Sequence, residues 1–175
     1  TLIDPGTSAS GLVSWGALTD GTGIIAGESV TLTNDQHMPF ITGTTHAVML
    51  PSGMLHYSLS GGSDNSVASI GTLEEFNLGI DIASLNYQLG YRLEFGSQTF
   101  AHSSLAGSML KGSTSQGFAL THRGHDCAGS NSNCTMDVTG FLAGPRAEEA
   151  GVLYRLEAFE GDTIITGAAG LKRNP

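Results

Sequence analysis

One polar segment concentrates the side chains of this chain that could bind a metal or a cofactor. His122 and His125 stand three residues apart and Cys127 follows them; these residue types bind zinc, copper or haem iron. A second cysteine, Cys134, comes after six small or polar residues. That spacing is too wide for the Cys-x₂₋₄-Cys arm of a zinc knuckle. It suits a disulfide that closes the mouth of a hairpin loop, because the flanking strands bring the two Cα atoms close together.

A disulfide and a metal-bound thiolate exclude each other, because a bonded sulfur cannot act as a thiolate ligand. We predict the disulfide Cys127–Cys134, since free cysteines prefer buried positions and these two lie among Asn, Ser and Gly. It indicates an oxidising compartment: the periplasm, the cell surface or the medium. No metal and no cofactor is predicted, and a metal or haem site at His122 and His125 stays open as the alternative.

The same segment is also the predicted binding loop, because exposed loops on a rigid framework commonly carry recognition residues. Its polar residues are His122, Arg123, His125, Asp126, Asn131 and Asn133.

The rest of the sequence contains no arrangement typical of a catalytic site. Gly21-Thr22-Gly23 imitates a dinucleotide fingerprint, but a strand pattern follows it, so no helix N-terminus would face a pyrophosphate. The neighbouring carboxylates Glu74-Glu75 and Glu148-Glu149 would point apart on a strand or solvate a turn. There is no Gly-x-Ser-x-Gly elbow. We therefore predict that the chain is not an enzyme.

Alternating apolar and polar residues predict the elements that position this loop. Leu85–Phe95 has an apolar residue at every odd position, which is the period of a strand with one buried face. Phe76–Ile82 repeats the pattern, and a short turn links the two as a hairpin. Further strands are predicted at 12–18, 29–33, 55–59, 98–102, 116–121, 135–142, 152–158 and 163–169. Trp15 shares a face with Val13 and Ala17, which favours packing in a core over an exposed binding hot spot.

Strands that recur without helices between them predict an all-β fold. Closure of one antiparallel meander removes its edges, so we predict an up-and-down barrel of about eight strands, with a two-sheet sandwich as the runner-up. We predict a single domain over 1–175, with a flexible lead-in over 1–9. Asp35–Leu50 fits a long connection that contains a short helix or an irregular strand, and Gly21–Gly23 and Gly61–Asn65 fit turns.

Composition limits the partners of the chain. It has 175 residues, 13% of them charged, and its formal net charge is −9. Phosphate backbones would be repelled, so nucleic-acid binding is not expected, whereas a basic protein partner is allowed. No apolar run reaches the length of about 20 residues that a membrane helix needs. An outer-membrane barrel is disfavoured because aromatic residues make up only 7%, too few for two interfacial girdles.

The sharpest motif lies near the end of the chain. Gly140–Gly151 reads as a strand, a tight acidic turn and a second strand. Gly144-Pro145 stops the first strand, because proline donates no hydrogen bond to a ladder. We expect one short helical turn over Ala147–Ala150, before the penultimate strand. The motif residues are Gly140, Phe141, Gly144, Pro145, Ala147, Glu148, Glu149 and Gly151.

This motif resembles the closing hairpin of the β-barrel domains of transferrin-binding protein B and related bacterial surface lipoproteins. Gly167–Arg173 resembles the terminal motif of the same family. Val152 departs from the family pattern, which often has a second glycine there, and Leu171 replaces a small residue. The matched positions belong to closure of the fold, and none of them corresponds to a ligand contact of the family.

The resemblance implies a bacterial exported protein, outer-membrane-associated or secreted, of which this chain forms the C-terminal part. In that family a handle domain accompanies such barrels and grips a host iron protein, and we do not recognise that handle in this sequence. We expect a non-enzymatic module for protein recognition or iron-related acquisition through barrel-end loops. The alternatives are a small-ligand or haem carrier, and a domain that only stabilises or displays its neighbours.

Overall fold

The computed structural model describes residues 1–25, 27–44, 53–66, 72–108, 117–124, 134–158 and 163–175. All regular secondary structure among them is β-strand, arranged in two antiparallel sheets. The strands are β1 Leu2–Thr7, β2 Val13–Ile25, β3 Glu28–Gly43, β4 Met54–Ser66, β5 Thr72–Asp81, β6 Asn86–Phe95, β7 Gln98–Ser108, β8 Gly117–Gly124, β9 Cys134–Ala143, β10 Glu149–Ala158 and β11 Thr163–Arg173.

The larger sheet confirms the predicted eight-stranded, up-and-down antiparallel arrangement. Its order is β7-β6-β5-β4-β11-β10-β9-β8: β4 to β7 pair in chain order, β8 to β11 pair in chain order, and β11 pairs with β4 to join the two sets. The sheet curls until its two edge strands, β7 and β8, contact each other. Because the sheet curls, one face of every strand points into the interior. A strand whose apolar residues alternate with polar ones therefore fits this sheet.

A single apolar cluster fills the interior of this barrel. β6 shows the pattern most clearly, since its inward side chains are buried and those between them face solvent. The largest fully buried side chains are Tyr57, Phe76, Leu78, Ile80, Leu89, Leu93, Leu105, Met136, Leu142, Leu156, Ile165 and Leu171. Val152 and Leu171, the two departures from the family motif, both belong to this core.

The smaller sheet, in the order β1-β2-β3, was not predicted as a separate layer. Residues 2–7 form β1, so the flexible lead-in predicted over 1–9 is wrong. β3 continues to Gly43, which replaces the first half of the predicted connection over 35–50 with a strand. The three-stranded sheet contacts β4, β10 and β11 from outside and therefore covers part of the outer wall of the barrel.

Trp15 holds the two sheets together. Its indole is 7% exposed and belongs to a second, smaller core with Val13, Ala143 and Ala168. A Cβ at Gly6, Gly61 or Gly170 would overlap the indole ring. Gly61 and Gly170 face each other across the β4–β11 ladder, so the barrel wall has a flat site where the ring lies. Core packing of Trp15 is thus confirmed, and the core lies between the sheets.

Phe141 makes a similar contact one strand further around the wall. A Cβ at Gly43 or Gly151 would come within 2.5 and 2.7 Å of its ring. Ile41 of β3 packs in the same small core. Phe141 and Gly151 of the C-terminal motif therefore form a second contact between the barrel wall and the small sheet.

A β-turn, and not a helical turn, joins β9 to β10. The Ala147 N–H donates to the Gly144 carbonyl at 3.1 Å. Gly144 has φ +85° and Ala147 has φ +54°, a left-handed conformation that ends any helical geometry. A side chain of the barrel core holds this turn in place, because the Tyr57 hydroxyl donates to the Ala147 carbonyl at 2.9 Å.

We predict that adding one methyl group to the flat site destabilises the protein. Gly61→Ala or Gly170→Ala should lower the free energy of unfolding by about 1–3 kcal/mol, because the indole must shift from its packed position. Urea unfolding followed by Trp15 fluorescence measures the loss. Gly21→Ala is the matched control: its Cβ meets nothing within 4 Å, so little change is expected. Equal effects at all three positions would contradict the role of the flat site.

Candidate binding surface

The predicted binding loop lies mostly outside the described residues. His125, Asp126, Cys127, Asn131 and Asn133 are not among them. His122 and Arg123 belong to β8, opposite Met136 and Thr135 of β9, and their side chains are also outside the description. The loop therefore stays a prediction.

Cys134 is the first residue of β9 and is buried at the edge of the barrel core. Its predicted partner, Cys127, is outside the described residues, so the disulfide stays a prediction. Within the described part of the chain, no three His, Cys, Asp or Glu side chains are grouped as a metal site would require. The alternative of a metal or haem site at His122 and His125 is not settled by that observation.

The family motif residues hold the fold together. Glu148 Oε2 accepts a hydrogen bond from the Arg146 N–H at 2.9 Å within the β9–β10 turn. The neighbouring Glu149 is buried, and its Oε1 accepts from the Ser10 hydroxyl at 2.5 Å. Ser10 lies between β1 and β2, so this bond is a second link between the small sheet and the barrel. Gly140 pairs with Val152 on β10 and Pro145 is exposed on the turn.

Gly61–Asn65, predicted as a loop, is part of β4. It pairs with Thr166–Gly170 of β11 along an antiparallel ladder. Glycines lie in this strand because the indole of Trp15 approaches one of them closely, and not because the chain turns there. This segment is therefore a strand of the barrel wall and not the predicted turn.

Buried tyrosines occupy the lumen that a carrier protein would leave open. Burial raises the pKa of the Tyr87 hydroxyl to about 12 and raises the pKa of Tyr57 and Tyr91 further. The Tyr91 hydroxyl has no hydrogen-bond partner among the described residues. The phenols are thus enclosed by apolar neighbours, as in a filled interior.

A shallow polar cleft lies on the outer wall of the barrel. It measures about 320 Å³, and Gly79 and Gly90 form its floor between the side chains of His56, Asn77 and Gln88. Asn174 closes one side, because its N–H donates to the His56 carbonyl at 2.7 Å. The cleft is open to solvent, and the described residues that line it include no Lys, Arg, Asp or Glu.

The most exposed apolar surface is on the small sheet. β1 pairs with residues 14–18 of β2, whereas the β2–β3 pairing continues to Ile25 and Glu28. The two longer strands therefore project as a two-stranded ribbon. Leu18 lies three residues from Trp15 in β2 and so faces away from the barrel, opposite Leu2 and Met38. Ile24 is 79%, Leu2 51% and Leu18 39% exposed.

A groove of about 240 Å³ runs along this ribbon. Gly21 and Gly23 lie opposite Leu32 and Val30, and since the glycines carry no side chain, one flank of the groove is open. We call this surface the ribbon groove, and define it by Leu18, Gly21, Gly23, Val30, Leu32 and Met38.

An irregularity in the strand pairing shapes the ribbon groove. The register shifts between Thr19 and Gly21, where Asp20 takes φ +49°. On β3 the bulging residues are held locally, since the Gln36 Oε1 accepts from the Thr33 N–H at 3.2 Å. Beyond the shift, the hydroxyls of Thr22 and Thr31 meet across the ribbon at 3.1 Å. The bulge bends the ribbon while leaving its pairing intact.

The two strands that form the ribbon, β2 and β3, contain acidic side chains and no Lys or Arg. Every Lys and Arg of the protein lies at position 92 or later, so the first 91 residues carry none. Asp20 and Glu28 are exposed beside the groove and at the tip of the ribbon. The amine of Thr1 donates to the carbonyls of Thr19 and Asp20 and the imidazole of His37 is half-buried. The side-chain charge of the ribbon is therefore negative.

These features define a class: an antiparallel eight-stranded barrel that carries an additional sheet on its outer wall and an exposed apolar groove on that sheet. No protein-family model matches the chain, and no curated protein matches it. Among the described residues there is also no helix long and apolar enough to cross a membrane.

Solved structures of the vaccine antigen Transferrin Binding Protein B from Haemophilus parasuis Hp5 share this fold. A single mutant is 16% identical, with a TM-score of 0.61 over 98% of this chain and 36% of that one. A double mutant is 14% identical, with a TM-score of 0.55 over 93% of this chain and 32% of that one. The chain thus spans about a third of those proteins, and the predicted likeness to a transferrin-binding protein B barrel is confirmed for the fold.

The buried tyrosines predict a specific loss of stability in alkali. A phenol titrates near pH 10 in the unfolded chain but higher in the barrel, so the folded state holds its proton more tightly. This stabilisation is present below pH 10 and is lost as the pH rises towards 12 and above. Urea midpoints measured at pH 7 and pH 11 should show the fall. Tyr91→Phe should reduce the fall while leaving stability at pH 7 little changed; an unchanged fall would contradict the assignment.

Proposed function

We propose that this chain is a non-enzymatic recognition module of a bacterial exported protein, exposed at the cell surface, whose partner is a protein. The barrel is the rigid support, and recognition takes place on its exterior. The fold shared with Transferrin Binding Protein B, a named vaccine antigen, supports a surface location. Iron-related acquisition remains one form that such recognition could take.

One contrast carries the proposal: the interior of the barrel is filled, whereas the small sheet exposes a groove lined by apolar side chains. Small-ligand carriers need an unoccupied cavity that encloses most of the ligand. Monomeric proteins rarely leave large contiguous apolar surfaces exposed, and such surfaces mark interaction sites. The predicted loop over 122–133 is a second candidate for contact with the partner.

Cell-surface crosslinking tests this proposal. A photoreactive amino acid at Leu18, on intact cells that display the parent protein, should form a covalent adduct with one protein species. Excess purified chain should compete the adduct away, because specific sites saturate. The same amino acid at Gln88, exposed on the barrel wall, is the matched control. Adducts that resist competition, or that form equally at both positions, would contradict recognition by this surface.

A haem titration separates the proposal from the carrier alternative. With a filled interior, we expect no saturable shift of the haem absorption band upon addition of purified chain. Stoichiometric haem binding that is lost in His122→Ala/His125→Ala would establish the alternative site in its place.

The proposed exported location includes the disulfide Cys127–Cys134. Protein purified from an oxidising compartment should have an intact mass two hydrogens below that of the reduced chain. Cys127→Ser/Cys134→Ala should lower the free energy of unfolding by about 2–3 kcal/mol, since the bridge closes a short loop. Reduction of the wild type by dithiothreitol, followed in the same urea titration, provides the control. Two free thiols in the native protein would contradict the proposed oxidising compartment.

A further inference from the structure

We infer that the ribbon groove binds a protein segment in which an apolar stretch is flanked by Lys or Arg side chains. This inference rests on the proposed function and specifies the chemistry of the partner. Two observations carry it independently: the apolar lining of the groove, and the presence of carboxylates without any Lys or Arg on the two strands that form it.

The lining determines what the centre of the partner must supply. Val30, Leu32 and Met38 are half-buried and Leu18 is exposed, so the groove becomes fully desolvated only when a second apolar surface covers it. Gly21 and Gly23 leave space along one flank, because a Cβ at either position would meet nothing within 4 Å. An extended segment with apolar side chains at alternate positions fits a surface of this shape.

The charges determine what the flanks of the partner must supply. Residues 1–44 contain the acidic residues Asp4, Asp20, Glu28 and Asp35 and no Lys or Arg. Asp20 precedes Gly21 directly, and Glu28 is at the ribbon tip, so exposed carboxylates stand at two points along the groove. The described ion pairs, Arg92–Glu94 and Arg155 with Asp137 and Glu157, lie on barrel strands. Among the described residues, no Lys or Arg pairs with the carboxylate of Asp20 or Glu28, which leaves these two groups for cations from a partner.

The same charges argue against two other occupants. A second copy of this chain would bring a further net charge of −9 and place carboxylates against carboxylates around the paired grooves. An anionic membrane surface would be repelled for the same reason, since it attracts basic and not acidic segments. A basic amphipathic segment satisfies both the groove and its rim.

A matched pair of synthetic peptides tests the inference. Both have twelve residues with Leu or Val at alternate positions; one carries Lys between them and the other carries Glu. Backbone amide spectra of the purified, isotope-labelled chain, recorded at low salt and at 0.15 M salt, locate and quantify binding. We expect the Lys peptide to shift signals of residues 18–38 saturably, with weaker binding at 0.15 M salt. We expect no shift at those residues with the Glu peptide.

Two isosteric variants separate local attraction from the overall negative charge. Asp20→Asn/Glu28→Gln should weaken Lys-peptide binding about three- to tenfold, because two exposed ion pairs are lost. Glu74→Gln/Glu75→Gln on β5 changes the net charge equally and should leave the affinity unchanged. Leu18→Ser removes an exposed apolar side chain of the groove and should also weaken binding, with the unchanged melting temperature showing that the fold persists.

Several results would overturn the inference. They are equal binding of both peptides at the groove, equal loss in the two charge variants, and shifts confined to residues outside the ribbon. Sedimentation that shows dimers dispersed by Leu18→Ser would assign the groove to a second copy. None of these results removes the competed crosslink at the cell surface, so a failed partner chemistry is distinguishable from a failed recognition module.

Discussion

The structure depends on one steric requirement: the outer wall of the barrel must be flat where the indole of Trp15 lies against it. Gly61 of β4 and Gly170 of β11 lie directly opposite each other and leave room for the ring. Gly6 of β1 contacts the same ring from the small sheet. A barrel wall normally faces water on its outside, so small residues there would be unexplained without a second layer. Trp15 thus covers this part of the barrel wall and fixes the position of the small sheet on it.

The second layer explains how rigid and exposed parts coexist in one small sheet. The half of the sheet near Trp15 is held by the indole, by Phe141 and by the Ser10–Glu149 hydrogen bond. The half beyond the register shift at Asp20 extends past β1 and exposes both apolar side chains and carboxylates. The contacts that attach the small sheet to the barrel are thus confined to one half of it, and the exposed groove lies on the other half.

The sequence alone predicts the barrel well, because period two is strong in strands such as β6 and because nothing between them is helical. Strand ends were less predictable: glycines at Gly21–Gly23 and Gly61–Asn65 suggested turns, although both lie in strands. In a sequence, a glycine that permits a turn cannot be told from a glycine that leaves room for an aromatic ring. Only the position of the ring in the folded structure distinguishes the two roles. The small sheet was missed for a related reason, since Pro39 and the bulge at residues 33–36 interrupt the alternation of β3. The ribbon groove could have been suspected from the absence of Lys and Arg before residue 92, but its apolar face required the strand register.

The place of β11 in the barrel has a consequence for how the protein is made. This strand is synthesised after the other ten, yet it lies between β4 and β10 and pairs with both. It also supplies Gly170, one of the glycines of the flat site for Trp15. Neither core can be completed until Thr163–Arg173 has emerged. Pairing over so many intervening residues is also intrinsically slow. Both cores of a chain with this topology therefore form only after its last described strand has been synthesised.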